Sequence, residues 1–381
     1  MRGAQVYGPG LTFFVCLWGI SVASAEVVQD VADQVSQTQY TAYLSEPDFL
    51  YTHNGNDRGW GPQHDLARTN IQNTLSGFGL TTSLHSFTYS GATYYNVVGV
   101  QLGTVEPNNI YIVGAHYDSV SNPGADDNAS GVAAVLEAAR VLSQHQFKST
   151  IVFIAFDREE QGLIGSGAYA SDHRSDNILG MLALDEVAWN NPANPDKAFI
   201  YSDSSVLRTA VADAMTTYGG LTAVQRANEY GTDNWPFGSY SKPNGFLEED
   251  YYGGNPNYHK STDSVDTPGF IDYTYATKMV RGVVGYLATS AELVPKPSAG
   301  DANGDGVVDA ADYIILKRNF GMMGAKWLDG DFSGDGTVGW DDLQVLMSPF
   351  GTGGVVPATN PEPATLGLLA LGGLAIIRRR R

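Results

Sequence analysis

Apolar residues in this chain fall into two kinds of segment. NIYIVGAHYDS, STIVFIAFDREE and ILGMLALDEV are short runs with little polarity and read as strands buried on both faces, whereas ASGVAAVLEAARVLSQH repeats its apolar positions at helical spacing. Alternation of the two predicts an α/β fold: a mixed, mostly parallel central sheet with helices on both faces. Helices are expected at about 29–44, over TNIQNTLSGFGL, and near 129–145, 162–172, 204–218 and 268–292. LTTSLHSFTYS and TYYNVVGVQLG read as a hairpin-like edge leading to the first buried strand.

The informative polar residues stand where the apolar runs end. His116 closes the first run, Asp127 lies in the Gly-rich turn PGADDNASG, and Glu159 and Glu160 follow the second run. Asp185 follows the third, and His259 lies in the loop NPNYHKSTDS. Groups at the carboxyl ends of such strands converge on one crevice. Two histidines and three carboxylates suit zinc, which takes imidazole nitrogen and carboxylate oxygen and keeps a position open for water. An Asp between two metals can bridge them with its two oxygens at ~3.5–4 Å separation. Glu159 is then left over, placed as a general base for the water. Taken singly, each residue reads as a solvated loop charge or a helix cap; their joint occurrence in order carries the metal reading. The histidines at 53, 64, 85, 145 and 173 read as surface or core residues.

The segments GAHYDS, PGADDNASGVAAVLEAARVL, FDREEQGLIGS, GMLALDEV and NYHKSTDS resemble those of the co-catalytic zinc exopeptidases typified by bacterial leucyl aminopeptidase, whose relatives include glutamate carboxypeptidase II and glutaminyl cyclase. The resemblance spans roughly residues 35–292. It implies two zinc ions, with Asp127 as the bridge, His116 and Asp185 on one ion, and Glu160 and His259 on the other. It makes Glu159 the general base for a metal-bridged hydroxide that cleaves peptide bonds, most naturally at the N-terminal residue. Asp118, two residues after His116, shares its face if the strand continues. On the residues alone a loop charge and a support for the imidazole are both open; the resemblance implies the support, which fixes the tautomer. Tyr230 is the position nearest the family's oxyanion-donating tyrosine. DNWPFGSY and DYYGGNPNYHK are expected to line the crevice near His259.

Composition limits the alternatives. The chain has 381 residues, 43% of them hydrophobic, and a net charge of −19, which supports a real core and argues against nucleic-acid binding. Its start, with Arg2, an apolar stretch at about 11–22 and Ala23-Ser24-Ala25, reads as a secretory signal peptide over residues 1–25. Cys16 lies inside it, so the exported chain is expected to have no disulfide. Pro361-Glu362-Pro363, the apolar run 364–377 and four arginines resemble a PEP-CTERM sorting tail, a substrate for an exosortase. That run is short of the ~20 residues that span a bilayer. Membrane contact is therefore expected only through the tail before processing, and the product at the cell surface or outside the cell.

Between the enzyme-like region (26–292), a linker (293–299) and the tail (353–381), residues 300–352 contain a repeat. DANGDGVVDAADYIILKRNFG and DFSGDGTVGWDDLQVLMSPFG match at an offset of 30 residues. Each copy has oxygens at positions 1, 3 and 5, Gly at 6 and an acid at 12, as in an EF-hand calcium loop. The expected ligands are Asp301, Asn303, Asp305, the Val307 carbonyl, Asp309 through water and Asp312, then Asp331, Ser333, Asp335, the Thr337 carbonyl and Asp342. Gly339 at position 9 of the second loop predicts weaker binding there. Asp at position 12 and one helix per loop resemble dockerin modules, which implies a small α-helical calcium domain with a cohesin-like partner, or a folding or spacer role with none. The leading reading is a surface-sorted di-zinc aminopeptidase acting on peptides. A carboxypeptidase-like or glutaminyl-cyclase-like member, and an inert surface scaffold working through the dockerin-like repeat, are the alternatives.

Overall fold

The computed structural model describes residues 25–228, 231–250, 254–294, 298–303 and 307–348. They form two units, divided between Pro295 and Lys296. Tyr230, Asp305, the sorting tail and residues 1–24 of the expected signal peptide lie outside the described residues.

The larger unit begins with α1 (Ala25–Ala32), α2 (Gln37–Ser45) and α3 (Pro62–Gly77). The single helix expected at 29–44 is thus two. Ser36 is extended and its hydroxyl accepts Gln39 N at 3.2 Å, so it caps a new helix instead of continuing the old one. Likewise α3 starts earlier than its apolar positions indicate, because Pro62 supplies a ready-made first turn.

Next come β1 (Thr81–Tyr89), β2 (Ala92–Gln101), β3 (Glu106–His116), α4 (Gly131–Leu142), β4 (Gln146–Phe147), β5 (Ser149–Phe156), α5 (Ile164–Asp172) and β6 (Asn177–Leu184). They are followed by β7 (Lys197–Tyr201), α6 (Ser205–Thr217), β8 (Thr222–Arg226), α7 (Trp235–Gly238), β9 (Asn244–Glu248), α8 (Tyr273–Ser290) and β10 (Leu293–Val294). Eight strands form one sheet in the order β1-β2-β5-β3-β6-β9-β7-β8. The centre, β5-β3-β6-β9, is parallel, while β1, β2 and the β7–β9 pairing are antiparallel. The hairpin of β1 and β2 forms as expected, but β2 pairs with β5, not with the His116 strand.

All of β5 is buried, and its side chains divide by the two-residue period of a strand. Ile151, Phe153 and Ala155 enter a core with residues of α1, α2, α3, α4, α6 and α8; Val152, Ile154 and Phe156 enter a second core with Tyr169 of α5 and Phe237 of α7. This two-sided burial is why the run has no polar alternation. It also sets His116 level with Phe156 at the carboxyl edge of the sheet.

The smaller unit holds α9 (Ala310–Asn319), a short 3-10 turn at Trp327–Asp329 and α10 (Trp340–Met347). Its core repeats at the sequence offset: Val308 with Val338, Leu316 with Leu346, and Ala302 with Phe332 are all buried. Among the described residues, no helix is long and apolar enough to cross a membrane.

Candidate metal centre

Three neighbouring parallel strands deliver the site. His116 ends β3, Glu159 and Glu160 lie just past β5, and Asp185 follows β6. Asp127 stands at a kink with non-helical backbone (φ −101°, ψ 92°) in the turn Ala125–Ser130 that leads into α4, and His259 comes from the loop before α8. The turn requires glycine at 124, where φ is 54° and a Cβ would lie 2.4 Å from the Asp127 carbonyl oxygen. The Asp127–Asn128 peptide bond is cis.

Asp127 faces both histidines. Its Oδ1 is 3.3 Å from His116 Nε2 and its Oδ2 is 3.0 Å from His259 Nε2. His116 Nε2 also lies 3.5 Å from Asp185 Oδ1, and His259 Nε2 lies 3.4 Å from Glu160 Oε2. A tetrahedral zinc with bonds of ~2.0–2.1 Å keeps its donor atoms ~3.3 Å apart, so both groups have the spacing of a zinc shell. Glu160 Oε1 and Asp185 Oδ1 are buried with no hydrogen-bond partner, an arrangement that a bound cation resolves. The donor set therefore fits two zinc ions. Glu159 Oε2 is 4.0 Å from His116 Nε2, and its Oε1 accepts the Thr232 hydroxyl at 3.4 Å.

Without metal, this crowding distorts proton affinities. Burial disfavours charge on His116, but Asp185 and Glu159 outweigh it and hold the imidazole well above its usual pKa. Hydrogen bonds to Asp127 and Glu160 push His259 up to about 10. Burial, reinforced by Asp185, Asp233 and Asp118 against the pull of His116, pushes Glu159 well up.

Asp118 lies beyond the end of β3, so it does not share a strand face with His116. It reaches the site through the chain's turn: its carbonyl oxygen is 3.2 Å and its Oδ1 3.6 Å from His116 Nδ1. Its two carboxylate oxygens accept the N–H groups of Glu159 and Glu160 at 3.2 and 3.3 Å. One buried carboxylate thereby positions the His116 imidazole and the backbones of Glu159 and Glu160.

Three supports were not foreseen from sequence. Asp263 accepts the N–H groups of Asp126 and Asp127 at 2.7 and 3.2 Å. It lies four residues after His259, within a segment quoted for its histidine alone. Fully buried Arg58 donates to the carbonyls of Tyr117, Leu50, Pro123 and Gly124, holding the loop between His116 and Asp127. Burial pushes this guanidinium down to about 10 despite the nearby Asp263, Asp118 and Asp127. Asn255 Nδ2 donates to Asp126, Glu249 and Glu186 at 2.9, 3.0 and 3.3 Å. This buried acidic trio has an amide where a cation would sit.

A cavity of about 170 Å³ opens on the site, lined by the five ligand candidates with Glu159, Glu186, Gly231, Thr232, Phe246, Glu248 and Tyr258. The expected lining is only partly right. Tyr258 is there, but Phe237 of DNWPFGSY is buried in the second core and Trp235 is exposed.

Residues 96–286 match the sequence profile of Peptidase family M28, half of the chain. The chain belongs to this family. Residues 299–349 match the dockerin type I domain, and 361–381 the PEP-CTERM protein-sorting motif. Leupeptin-inactivating enzyme 1 of Streptomyces exfoliatus is 30% identical over 270 residues, 65% of this chain and 60% of that protein. A probable zinc metalloprotease of Pyrenophora teres f. teres (strain 0-1) is 37% identical over 158 residues, 36% of this chain and 33% of the relative. The chain thus spans less than two thirds of the length of these M28-like relatives. Among solved structures, the LapA aminopeptidase of Legionella pneumophila superposes with a TM-score of 0.61 at 21% identity, covering 72% of this chain and 77% of LapA. Bacteroides thetaiotaomicron glutaminyl cyclase gives 0.54 at 18%, covering 66% and 97%. At these identities the likeness concerns the fold.

In the dockerin-type unit, Asp312 accepts the N–H groups of Ala302, Asn303 and Asp309 at 2.8, 3.1 and 2.8 Å. Asp342 accepts those of Ser333 and Gly339 at 2.8 and 2.6 Å. Asp331 accepts Gly334 N and Gly336 N at 2.8 and 2.9 Å, and Asp335 accepts Thr337 N at 2.7 Å. The position-12 acids therefore join the two ends of each loop and cap the following helix. Asp309 is such a cap too, accepting Ala311 N at 2.7 Å.

Proposed function

We propose that the chain is an exported, surface-sorted zinc aminopeptidase that removes N-terminal residues from peptides. The observation that carries this is Asp127, whose two carboxylate oxygens face two separate His-carboxylate pairs, while Glu159 lies beside the first pair at 4.0 Å from His116 Nε2, farther than any of the paired carboxylates. His116 and Asp185 would hold one zinc, His259 and Glu160 the other, and Asp127 both. Zinc bound there supplies a Lewis acid for the scissile carbonyl and lowers the pKa of water. Glu159 takes the proton of the attacking water and returns it to the leaving amine. Thr232 holds one oxygen of that carboxylate, and Asp118 fixes its backbone. Tyr230 is proposed as an oxyanion donor by its place in the sequence.

The cavity favours the aminopeptidase mode over the carboxypeptidase one. Its described lining includes no lysine or arginine to receive a terminal carboxylate, whereas its carboxylates suit a terminal ammonium. The full donor set likewise supports a working enzyme over an inert scaffold. In the smaller unit, Asp301, Asn303, Asp305, Val307, Asp309 and Asp312, and Asp331, Ser333, Asp335, Thr337 and Asp342, are proposed to bind calcium. That unit would fold with the ion and either dock a cohesin-like partner or act as a spacer, and an exosortase would process the tail.

Aminoacyl anilides with free and N-acetylated amino groups, tried beside C-terminally free blocked peptides with zinc measured on the same sample, test the reading. Release from free-amino substrates alone, with about two zincs per chain, is expected. Cleavage only of blocked peptides at their free carboxyl end would overturn it.

A further inference from the structure

Consecutive side chains of a continuing strand point to opposite faces, yet Glu159 and Glu160 both line the cavity. The chain departs from the strand at Arg158, whose φ of 62° is left-handed, a conformation that residues with a Cβ seldom adopt. The loop that follows closes on its own start. Ile164 N donates to the Arg158 carbonyl and Gly165 N to that of Asp157, both at 3.0 Å, while Leu163 N donates to that of Glu159 at 2.8 Å. Asn96, fully buried in β2, fastens both ends: it accepts Asp157 N at 2.9 Å and donates to the Gly165 carbonyl at 2.8 Å.

Arg158 is absent from the cavity lining. Its guanidinium is buried between two rings, 4.6 Å from the centre of Trp60 and 4.2 Å from that of Tyr94. Nη1 donates to the Gly59 carbonyl at 2.6 Å and to Gln161 Oε1 at 3.2 Å, and Nε lies 3.4 Å from Asp157 Oδ1. Asp157 is held in turn by the Tyr117 hydroxyl at 2.9 Å and by His64, whose Nε2 lies 2.9 Å from Asp157 Oδ1 and 3.3 Å from Arg158 Nη2.

Building on the proposed aminopeptidase activity and the role given there to Glu159, we propose that Arg158 is a positioning residue for that carboxylate. Its clamp between Trp60 and Tyr94 holds the left-handed turn that aims Glu159 into the cavity. A ligand carboxylate is drawn into place by its ion, whereas a general base depends on its scaffold. The hydrogen bond that the Glu159 side chain accepts from Thr232 is long, at 3.4 Å, so the turn has to set its direction. A planar guanidinium can stack on both rings while its edge donates to Gly59 and Gln161, and these contacts offset the cost of the backbone conformation.

The test compares the zinc-loaded full chain with its Arg158→Ala, Arg158→Gly and Trp60→Leu variants on a free-amino anilide and on a blocked peptide with a free carboxyl end. Arg158→Ala is expected to lower kcat by about 10²-fold, with KM and zinc content kept within about twofold. In the metal-free chain it should speed hydrogen exchange at Leu163, Ile164 and Gly165 by about tenfold. Arg158→Gly adopts the turn without penalty but has no clamp, so it should be as slow as Arg158→Ala. Wild-type kcat in the glycine variant, or unchanged exchange in the alanine variant, overturns the proposal. A lower Tm with unchanged kcat per zinc-loaded chain overturns it too, since Arg158 would then serve stability alone. Trp60 is 57% exposed, so Trp60→Leu spares the core and should cost several-fold in kcat. Unchanged kcat in this variant overturns the clamp even where the Arg158 variants fail to fold. Cleavage of the blocked peptide alone overturns the aminopeptidase reading, and the variant ratios on that peptide then decide the clamp; turnover of neither substrate by the wild type overturns both.

Discussion

Asp118 accepts the backbone N–H of Glu159 at 3.2 Å while lying against Nδ1 of His116, so one carboxylate links Glu159 to the imidazole proposed to hold zinc. Asp118→Asn keeps the volume but gives up an acceptor oxygen and the negative charge. Zinc affinity should fall ~10–100-fold, the range seen when an outer partner of a ligand histidine is lost. Chelator competition reads this directly.

Arg58 is buried among carbonyl groups from both sides of the loop that joins His116 to Asp127. Arg58→Met should destabilise the larger unit by ~3 kcal/mol or more, since each carbonyl left dry and unpaired costs ~1–3 kcal/mol. Urea unfolding of the metal-free protein measures it, and a loss under ~1 kcal/mol would show that water replaces the guanidinium.

Asp233 is buried, and neither of its oxygens has a hydrogen bond of good geometry; the nearby Ser166 hydroxyl is turned toward the Leu163 carbonyl at 3.4 Å. Burial pushes its carboxyl up to about 7, with His116 and Ser166 pulling the other way. A pKa raised on folding gives stability that is complete below the unfolded value of ~3.9 and is lost as pH rises through 7. Asp233→Asn should therefore raise the Tm of the metal-free protein at pH 8 relative to wild type, and the difference should vanish below about pH 4. A constant difference across that range would contradict the assigned origin.

Asp331 and Asp342 organise the second loop of the smaller unit by accepting its backbone N–H groups. Calcium removal, or Asp331→Ala with Asp342→Ala, should unfold that unit while leaving anilide hydrolysis within about twofold, because the two units have separate cores. A large loss of turnover would make the unit part of the enzyme.

Much of the site was legible because its residues sit at the ends of short, uniformly apolar runs. His116, Glu160 and Asp185 are carried by such punctuation, Asp127 by a Gly-rich turn and His259 by a polar loop, and the structure brings all five together. The supports were illegible for a physical reason. Arg58 binds backbone carbonyls, which every residue has, so nothing in the sequence marks its partners. Asn255 gathers acids from three segments, and Asp263 reaches back 136 residues to Asp127. The fold shows the same limit. β5 announced itself by a run long enough to fill both cores, but the five-residue strands β7, β8 and β9 are too short to show a period. The break between α1 and α2 turned on one capping serine.

The most direct test of the central claim is Glu159→Gln, with turnover and zinc content measured on the same sample. Glu159 is farther from the histidines than the paired carboxylates, at 4.0 Å from His116 Nε2, so the variant should keep its zinc while kcat on a free-amino anilide falls by ~10²–10⁴. Full activity would remove Glu159 from the chemistry, and loss of zinc in parallel with activity would make it a ligand, contradicting the division of labour proposed for Glu159 and Glu160.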